Sequence, residues 1–471
     1  MGNLFTALNS AGQALQAFQA AIDVTQSNVT NANSPGYANQ VAVMQSSDDA
    51  SGTGQSVGVT EQTVDSRNQY AETAVQQQVS LLGEYQQLQT SLAPLQTVFD
   101  VSSSSAIPSA LNQLFQSFSN WSTQPNDATA QASVISAAQQ TGAAFQQAAA
   151  QLATITSSTD ASMQSTVAQI NQDAAQIQQY NEQVSSVGSS NPGLQAQLYS
   201  ALQDLSSQAD VQVLPGNGET VTVLLGGQTP LVIGNQLNTL QVANDPSSTQ
   251  NGPPNVEILD STGADVTNLV TSGSLYGLLT VRNNILPSLG GGGTQVGGLN
   301  TLAQSLAATV NNLLAQGSTT SSPPYQAGQP LFTYNPASPG GVAASLSVNS
   351  AITPSQLAAT DPGPPTVSNG IALQLAGLDS AQGGQINGLG FTQYFGTLSA
   401  SVGNAANNAN TSATAQAQLV TQAENLRQQL SGVSIDEQAI NLVQLQSSYQ
   451  AVSRVVNIVD QLTQSLMNMV Q

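Results

Sequence analysis

Carboxylates are the only abundant reactive side chains in this sequence. It holds 25 Asp and Glu among 471 residues, four arginines (Arg67, Arg282, Arg427 and Arg454), and no histidine, lysine or cysteine. Among the chemistry that carboxylates support are a pair facing each other across a glycosidic bond and an oxygen cage around calcium. The pairs Asp48–Asp49 and Asp436–Glu437 are adjacent, and consecutive side chains leave a helix or strand in different directions. No Asp-X-Asp-X-Asp-Gly loop occurs. Asp436 and Glu437 fit better in the first turn of a helix, where negative charge meets the positive end of the macrodipole.

The missing residue types exclude further classes. Without histidine there is no Ser-His-Asp or Cys-His site. Without cysteine there is no disulfide, thiolate nucleophile, iron–sulfur cluster or ordinary structural zinc. Without lysine there is no Schiff base and no phosphate-gripping P-loop, so the glycine run at 290–293 reads as a flexible loop. A formal charge of −21 with four arginines argues against a nucleic-acid surface and against anionic membranes. No catalytic residue, cofactor, metal or nucleic-acid partner is expected. The arginines are read as local ion-pair partners.

The chain is long enough for two or three domains. Hydrophobic residues make up 39% and mean hydropathy is −0.08, so cores can form. Charged residues are 6%, against roughly 25% in an ordinary globular protein. Alanine, glutamine, serine and asparagine supply the polarity instead. No run approaches 18 apolar residues, so no membrane insertion is expected. The first 24 residues lack the basic and continuous apolar regions of a secretory signal, so no cleaved signal peptide is expected.

Both ends carry a heptad pattern. Leu4, Leu8, Ala11, Leu15, Phe18, Ile22, Thr25 and Val29 alternate spacings of four and three, the seam of a coiled-coil helix. Near the other end Leu442, Leu445, Tyr449, Val452, Val456, Val459, Thr463, Leu466 and Val470 repeat the pattern. These rows seek a partner: each other, or neighbouring subunits.

Between them, residues 70–210 read as helical, with Val75, Val79, Leu82, Leu88, Leu92 and Leu95 at helical spacing. Pro125-Asn126-Asp127 breaks the pattern, and helices are expected over about 128–156 and 161–187. Trp121, the only tryptophan, is expected in a core. From Asp210 the period shortens to two: Val211 and Val213, then Pro215-Gly216-Asn217-Gly218, then Val221, Val223 and Leu225. That is a hairpin signal, and 256–263 gives another. Ser274 is a candidate cap for a returning helix. Residues 317–394 hold nine of the 20 prolines and two charges, and read as an exposed, loop-rich insertion. A long helix is expected from Phe395 to about Leu430.

The fold expected is α+β: a mainly α-helical, discontinuous core built from both termini, with β-rich inserted outer domains. The terminal coiled-coil helices take 1–40 and 432–471. A helical core domain takes 41–210, 269–316 and 395–431. The β-rich insertion takes 211–268, and the Pro/Gly-rich outer insertion takes 317–394.

Ala11-Gly12-Gln13, residues 28–33 and the turn Ser34-Pro35-Gly36-Tyr37 closely resemble the N-terminal signature of bacterial flagellar axial proteins. The run 431–439 (SGVSIDEQA), Asn441-Leu442 and Tyr449-Gln450-Ala451 resemble the matching C-terminal signature. Ser-Gly-Val followed by Asp-Glu is similar to the hook-associated protein 1 (FlgK) family more than to hook or rod subunits. Pro125-Asn126-Asp127 before a long helix, and the stretch 273–279 followed by Arg282 and Pro287, resemble the same family.

The resemblance implies a structural subunit joining hook to filament, extracellular and exported through the flagellar channel. It implies self-association in a helical ring or tube, with the hook protein, the second junction protein and an export chaperone as partners. The assembly interface expected is Leu4, Leu8, Leu15, Phe18, Ile22, Val29, Leu442, Leu445, Tyr449, Val452, Val456, Val459 and Leu466. The signature turn is Asn31, Asn33, Pro35, Gly36 and Tyr37. Lacking neighbours, the ends (about 1–35 and 440–471) are expected to be disordered in the free monomer. The rival readings are a flagellar hook or rod subunit and a secreted coiled-coil adhesin.

Overall fold

The computed structural model describes residues 2–48, 56–103, 106–187, 192–248, 252–338, 340–380 and 386–470. The chain opens with helix α1 (Gly2–Asn31) and a long antiparallel hairpin, β1 (Gln40–Asp48) and β2 (Ser56–Asp65). Four helices follow: α2 (Gln69–Val98), α3 (Ile107–Thr123), α4 (Ala128–Val187) and α5 (Pro192–Gln208). A four-stranded antiparallel sheet runs in chain order through β3 (Val211–Pro215), β4 (Val221–Leu225), β5 (Thr229–Ile233) and β6 (Gln236–Leu237). β7 (Gln241–Asn244) pairs with β8 (Val256–Leu259). Helices α6 (Gly273–Thr280) and α7 (Leu286–Gly290) are joined by a π-helical turn at Val281–Ile285, and α8 (Gly298–Gln316) follows. Short elements come next: β9 (Phe332–Thr333), α9 (Gly341–Ser345), β10 (Ser347–Val348) and α10 (Gly370–Ala376). Two long helices, α11 (Phe391–Ser431) and α12 (Ile435–Val470), close the chain.

Local chemistry starts and stops these elements. Asn68 Oδ1 accepts from the Ala71 N–H at the start of α2, and Asp127 Oδ1 accepts from Thr129 N–H at the start of α4. Pro108 stands in the first turn of α3, where its missing N–H costs nothing. Asp436 and Glu437 occupy the first turn of α12, as the sequence suggests.

Helix α4 is the spine. Its 60 residues span about 90 Å at 1.5 Å per residue. Its first half, with Val134, Phe145 and Leu152, enters one core with α3, α8 and the start of α11. Trp121 is fully buried there, its Nε1–H donating to Pro125 O at 3.1 Å. Phe99 stacks on Phe395 and Phe115 on Phe391. The second half, with Met163, Ile170 and Ile177, enters another core with α5, α6 and the sheet. One helix was expected to end near 156 and another to begin near 161, yet α4 runs straight through. The Ser and Thr hydroxyls of that stretch bond back to the carbonyls four residues earlier, as Thr156 does to Leu152 and Thr159 to Ile155. Their polarity is spent inside the helix and does not end it.

Helices α2, α5 and α6 approach closely. Gly83 faces the backbone of Ser207, and Gly277 faces the Glu84 carbonyl, so a β-carbon at either site would collide with main chain. Ser274 does not cap α6; the N-cap is Ser272, whose Oγ makes no capping bond and pairs with Ser80 Oγ at 2.6 Å. Ser274 Oγ instead lies against the carbonyls of Gly83 and Ser207, at 3.3 and 3.2 Å.

Asparagines on helices hold the strands. Asn171 and Asn181 of α4, Asn283 of the π turn and Asn311 of α8 each clasp the N–H and C=O of one residue. Those residues are Leu240, Val221, Val256 and Phe332, at 2.7–2.9 Å. Three of them are the first residues of β4, β8 and β9, and Leu240 immediately precedes β7. Each amide supplies both halves of a strand's hydrogen bonding.

Three further expectations differ from the structure. Residues 317–394 are not an exposed insertion. Leu331, Phe332, Val342, Leu346, Leu357, Ile371 and Leu375 are buried in the first core, and Asn369 Nδ2 donates to Ser122 O. Their apolar residues come in short runs without a period, so no pattern marked them as core. The run at 290–293 is pinned, with Gly293 N–H donating to Pro253 O and Gly292 N–H to Gln295 O. Residues 40–48 and 56–65 pair as antiparallel strands, in a stretch where helical core was expected.

Candidate assembly interface and its anchoring joint

The two ends of the chain meet. Helix α1 lies against α12 and against the β1–β2 hairpin. On α12 the partly shielded residues include Leu442, Leu445, Tyr449, Val452, Val456, Val459 and Thr463, the row that the heptad spacing picks out, with Ser448 and Ser453 beside it. On α1, Leu8, Ala11, Leu15 and Phe18 are half-buried, Ile22 and Thr25 are buried, and Val29 is exposed. Leu4 and Leu466 fall within these helices, but their side chains lie outside the described residues. Of the two partners the spacing allows, each other or neighbouring subunits, the first is met within the chain. Ala17 and Ala21 are also buried; alanine carries too weak a periodic signal for the sequence to mark them.

A two-helix pair leaves much apolar surface open. Ile440, Val443, Val455, Ile458, Leu462 and Met469 stand outside the paired row and are exposed, Ile440 by 67% and Met469 by 78%. They lie on one side of α12 in two groups, Ile440 and Val443 near its start and Val455, Ile458, Leu462 and Met469 toward its end, a second and interrupted apolar face.

The signature turn ties this pair to the rest. Asn28, buried in α1, is its hub. Asn28 Oδ1 accepts from Tyr37 Oη–H at 2.9 Å and from Gln40 N–H at 3.0 Å. Its Nδ2 reaches Gln40 O at 2.8 Å, Asn39 Oδ1 at 2.9 Å and Gln438 Oε1 at 3.1 Å. One amide thus links α1, the turn, the start of β1 and α12. Burial pushes the Tyr37 phenol up from its ordinary value, against the opposing bond to Ser27, so it stays a donor to Asn28. Asn31 closes the helix end, its Nδ2 donating to Ser27 O and its carbonyl accepting from Ser34 N–H. Asn33 and Pro35 are exposed. Gly36 has φ +71°, and a β-carbon there would run into the Ala196 backbone of α5. Both conditions demand glycine.

Next to Gly36 lies a knot of charge. Arg67 Nη2 donates to Gly36 O at 2.7 Å, Nη1 to Glu72 Oε1 at 2.7 Å, and Nε to Asp65 Oδ2 at 3.3 Å. Its guanidinium covers the Tyr199 ring at 3.6 Å. Arg427 of α11 reaches the other Glu72 oxygen at 3.4 Å and Gln203 Oε1 of α5 at 3.0 Å. Burial drives the Tyr199 phenol up to about 12, although Arg67 pulls it down. The Arg67 and Glu72 side chains are 5% and 6% exposed, and breaking such a buried pair costs about 3–5 kcal/mol. Ser431 completes the joint: its carbonyl accepts from Asn39 N–H and its Oγ from Asn68 N–H. Two of the four arginines are therefore committed where the terminal pair meets the body. A third, Arg282, binds Asp160 at 2.6 Å. The sequence marked Arg67 and Arg427 as ion-pair partners but not whom they pair with.

Asp436 and Glu437 are exposed on successive positions of α12. Asp49 lies outside the described residues. Among the described residues no group of three or more Asp, Glu, His or Cys could hold a metal ion, and no helix is long and apolar enough to cross a membrane.

Comparison with known proteins follows the same division of the chain. Residues 92–332, more than half of it, match the family described as flagellar hook-associated protein FlgK helical domain. Residues 8–37 match the flagella basal body rod protein family, and 427–469 the flagellar basal body rod FlgEFG protein C-terminal family. Flagellar hook-associated protein 1 of Bacillus subtilis (strain 168) is 25% identical, with 99% of each chain covered. The solved structure of the flagellar hook junction protein FlgK from Burkholderia pseudomallei is similar in fold, with a TM-score of 0.63 at 18% identity. The match covers 75% of this chain and 99% of that one.

Proposed function

The chain belongs to the FlgK family of flagellar hook-associated proteins, and from that membership we propose how it is built into the flagellum. It is a structural junction subunit with no catalytic role. The two terminal matches are to rod-type families, whereas the match over 92–332 is to the FlgK helical domain. That central match favours the junction over a hook or rod subunit.

In this reading the protein is extracellular, set between hook and filament. The paired ends, 1–40 and 432–471, form the inner layer of a helical ring or tube of identical subunits. The interface residues are Leu4, Leu8, Leu15, Phe18, Ile22, Val29, Leu442, Leu445, Tyr449, Val452, Val456, Val459 and Leu466, with the second face of α12 turned to neighbours. The helical body takes 41–210, 269–316 and 395–431, with 317–394 packed into its first core and 211–268 built upon it. Its neighbours are the hook protein and the second junction protein, and an export chaperone binds near the C-terminus beforehand. Head-to-tail contacts of this kind extend into rings or tubes and do not close as dimers.

The observation that carries the proposal is the exposed second apolar row on α12 beside a paired first row. Burying one such side chain is worth roughly 1.5–3 kcal/mol, enough over six residues to drive assembly. A deletion strain tests the proposal. Loss of this protein should leave hooks in place with no filaments attached. Cells without hooks would identify a hook or rod subunit instead.

A further inference from the structure

Ordinary proteins unfold in acid for two reasons: paired carboxylates lose their partners, and the many Lys, Arg and His left positive repel one another. The second drive is nearly missing from this molecule, and the first is confined, among the described residues, to Asp65, Glu72 and Asp160. With all 25 carboxylates protonated, the side-chain charge moves from −21 to +4. A chain of ordinary composition and this length would carry roughly 50–60 positive charges. Self-repulsion here is therefore weaker in acid than at neutral pH.

The tertiary links point the same way. Strands are attached to helices by the neutral amides of Asn28, Asn171, Asn181, Asn283 and Asn311. Amides do not titrate. Among the described residues, the carboxylates in ion pairs are Asp65, Glu72 and Asp160. Asp65 and Glu72 sit at the joint, where Arg67, Arg427, Tyr199, Tyr180 and Glu219 face them, outside both cores. Asp160 is 36% exposed.

We propose that this molecule is built to keep its helical body folded in acid, with uncharged asparagine clasps doing the work that ion pairs do elsewhere. Asp173 adds to the effect. It is 2% exposed on α4 and faces Asp204 of α5, with only Gln169 and Gln208 donating to it. Burial raises its carboxyl. The folded state then binds its proton before the unfolded state does, so stability rises as pH falls through that window. Acid removes the hydrogen bonds that hold Asp100, Asp245 and Asp260 low, from Ser102, Ser247 and Thr262. These lie in exposed loops.

Urea unfolding of the full chain, followed by Trp121 fluorescence at pH 7 and pH 3, tests the proposal. The midpoint at pH 3 should equal or exceed that at pH 7, and a lower one overturns it. The Asn181→Asp variant tests the clasp. Its carboxylate cannot donate to Val221 O and Gly234 O at pH 7, but its protonated form can donate to one of them at pH 3. Its loss in midpoint relative to the parent should be at least twofold smaller at pH 3. An equal or larger loss in acid overturns the role of the neutral clasp.

Discussion

Asn28 shows how much one uncharged side chain can carry. Its amide contacts Tyr37, Asn39, Gln40 and Gln438, so both chain ends depend on it. Replacing Asn28 with Asp keeps the acceptor and removes the donor, leaving the Gln40 carbonyl unpaired. A buried group left this way costs about 1–3 kcal/mol. Hydrogen exchange at the amides of residues 40–43 should therefore quicken by roughly 5- to 150-fold in Asn28→Asp. Unchanged protection would mean that the hairpin is held by other contacts. Asn28 was legible as part of a signature, but its partners were not, because an asparagine's identity does not say which backbone it will meet.

Helix α12 is an element with two apolar faces and one partner. The row through Val452 is shielded by α1, and the row through Ile458 is open. Charge on each face should act differently. Ile458→Asp should leave the helix content and melting temperature of the isolated protein unchanged while abolishing filament attachment in cells. Val452→Asp should lower helix content as well, because it places a charge against α1. Equal effects of the two variants on the isolated protein would remove the distinction between the faces. The heptad spacing showed that a seam exists. It did not show that the seam is closed within one chain.

At the scale of the molecule, α4 runs through both cores, and α2 and the continuous run from α6 through the π turn to α7 touch both as well. A defect in one should reach the other along the helix. Phe145→Ala opens a cavity in the first core and should cost about 3–5 kcal/mol. If α4 couples the cores, amide exchange in β4 and β5, which belong to the second, should quicken too. Protection there equal to the parent would make the two cores independent units. The terminal pair is joined to this body by Arg67, Glu72 and Arg427, with Glu72 and Arg427 separated by 355 positions.

What the amino-acid order determined by itself is local. Heptad rows, the Asn-to-Tyr turn, the β3–β4 hairpin and the missing reactive residues are legible because period, turn chemistry and composition act over a few residues. The tertiary structure decided which faces meet. It buried residues 317–394, whose apolar side chains have no period until the first core gathers them. It carried α4 through a polar stretch, because those hydroxyls bond within the helix. It also brought Glu72 and Arg427 together, since a contact across hundreds of residues leaves no mark on the sequence between them.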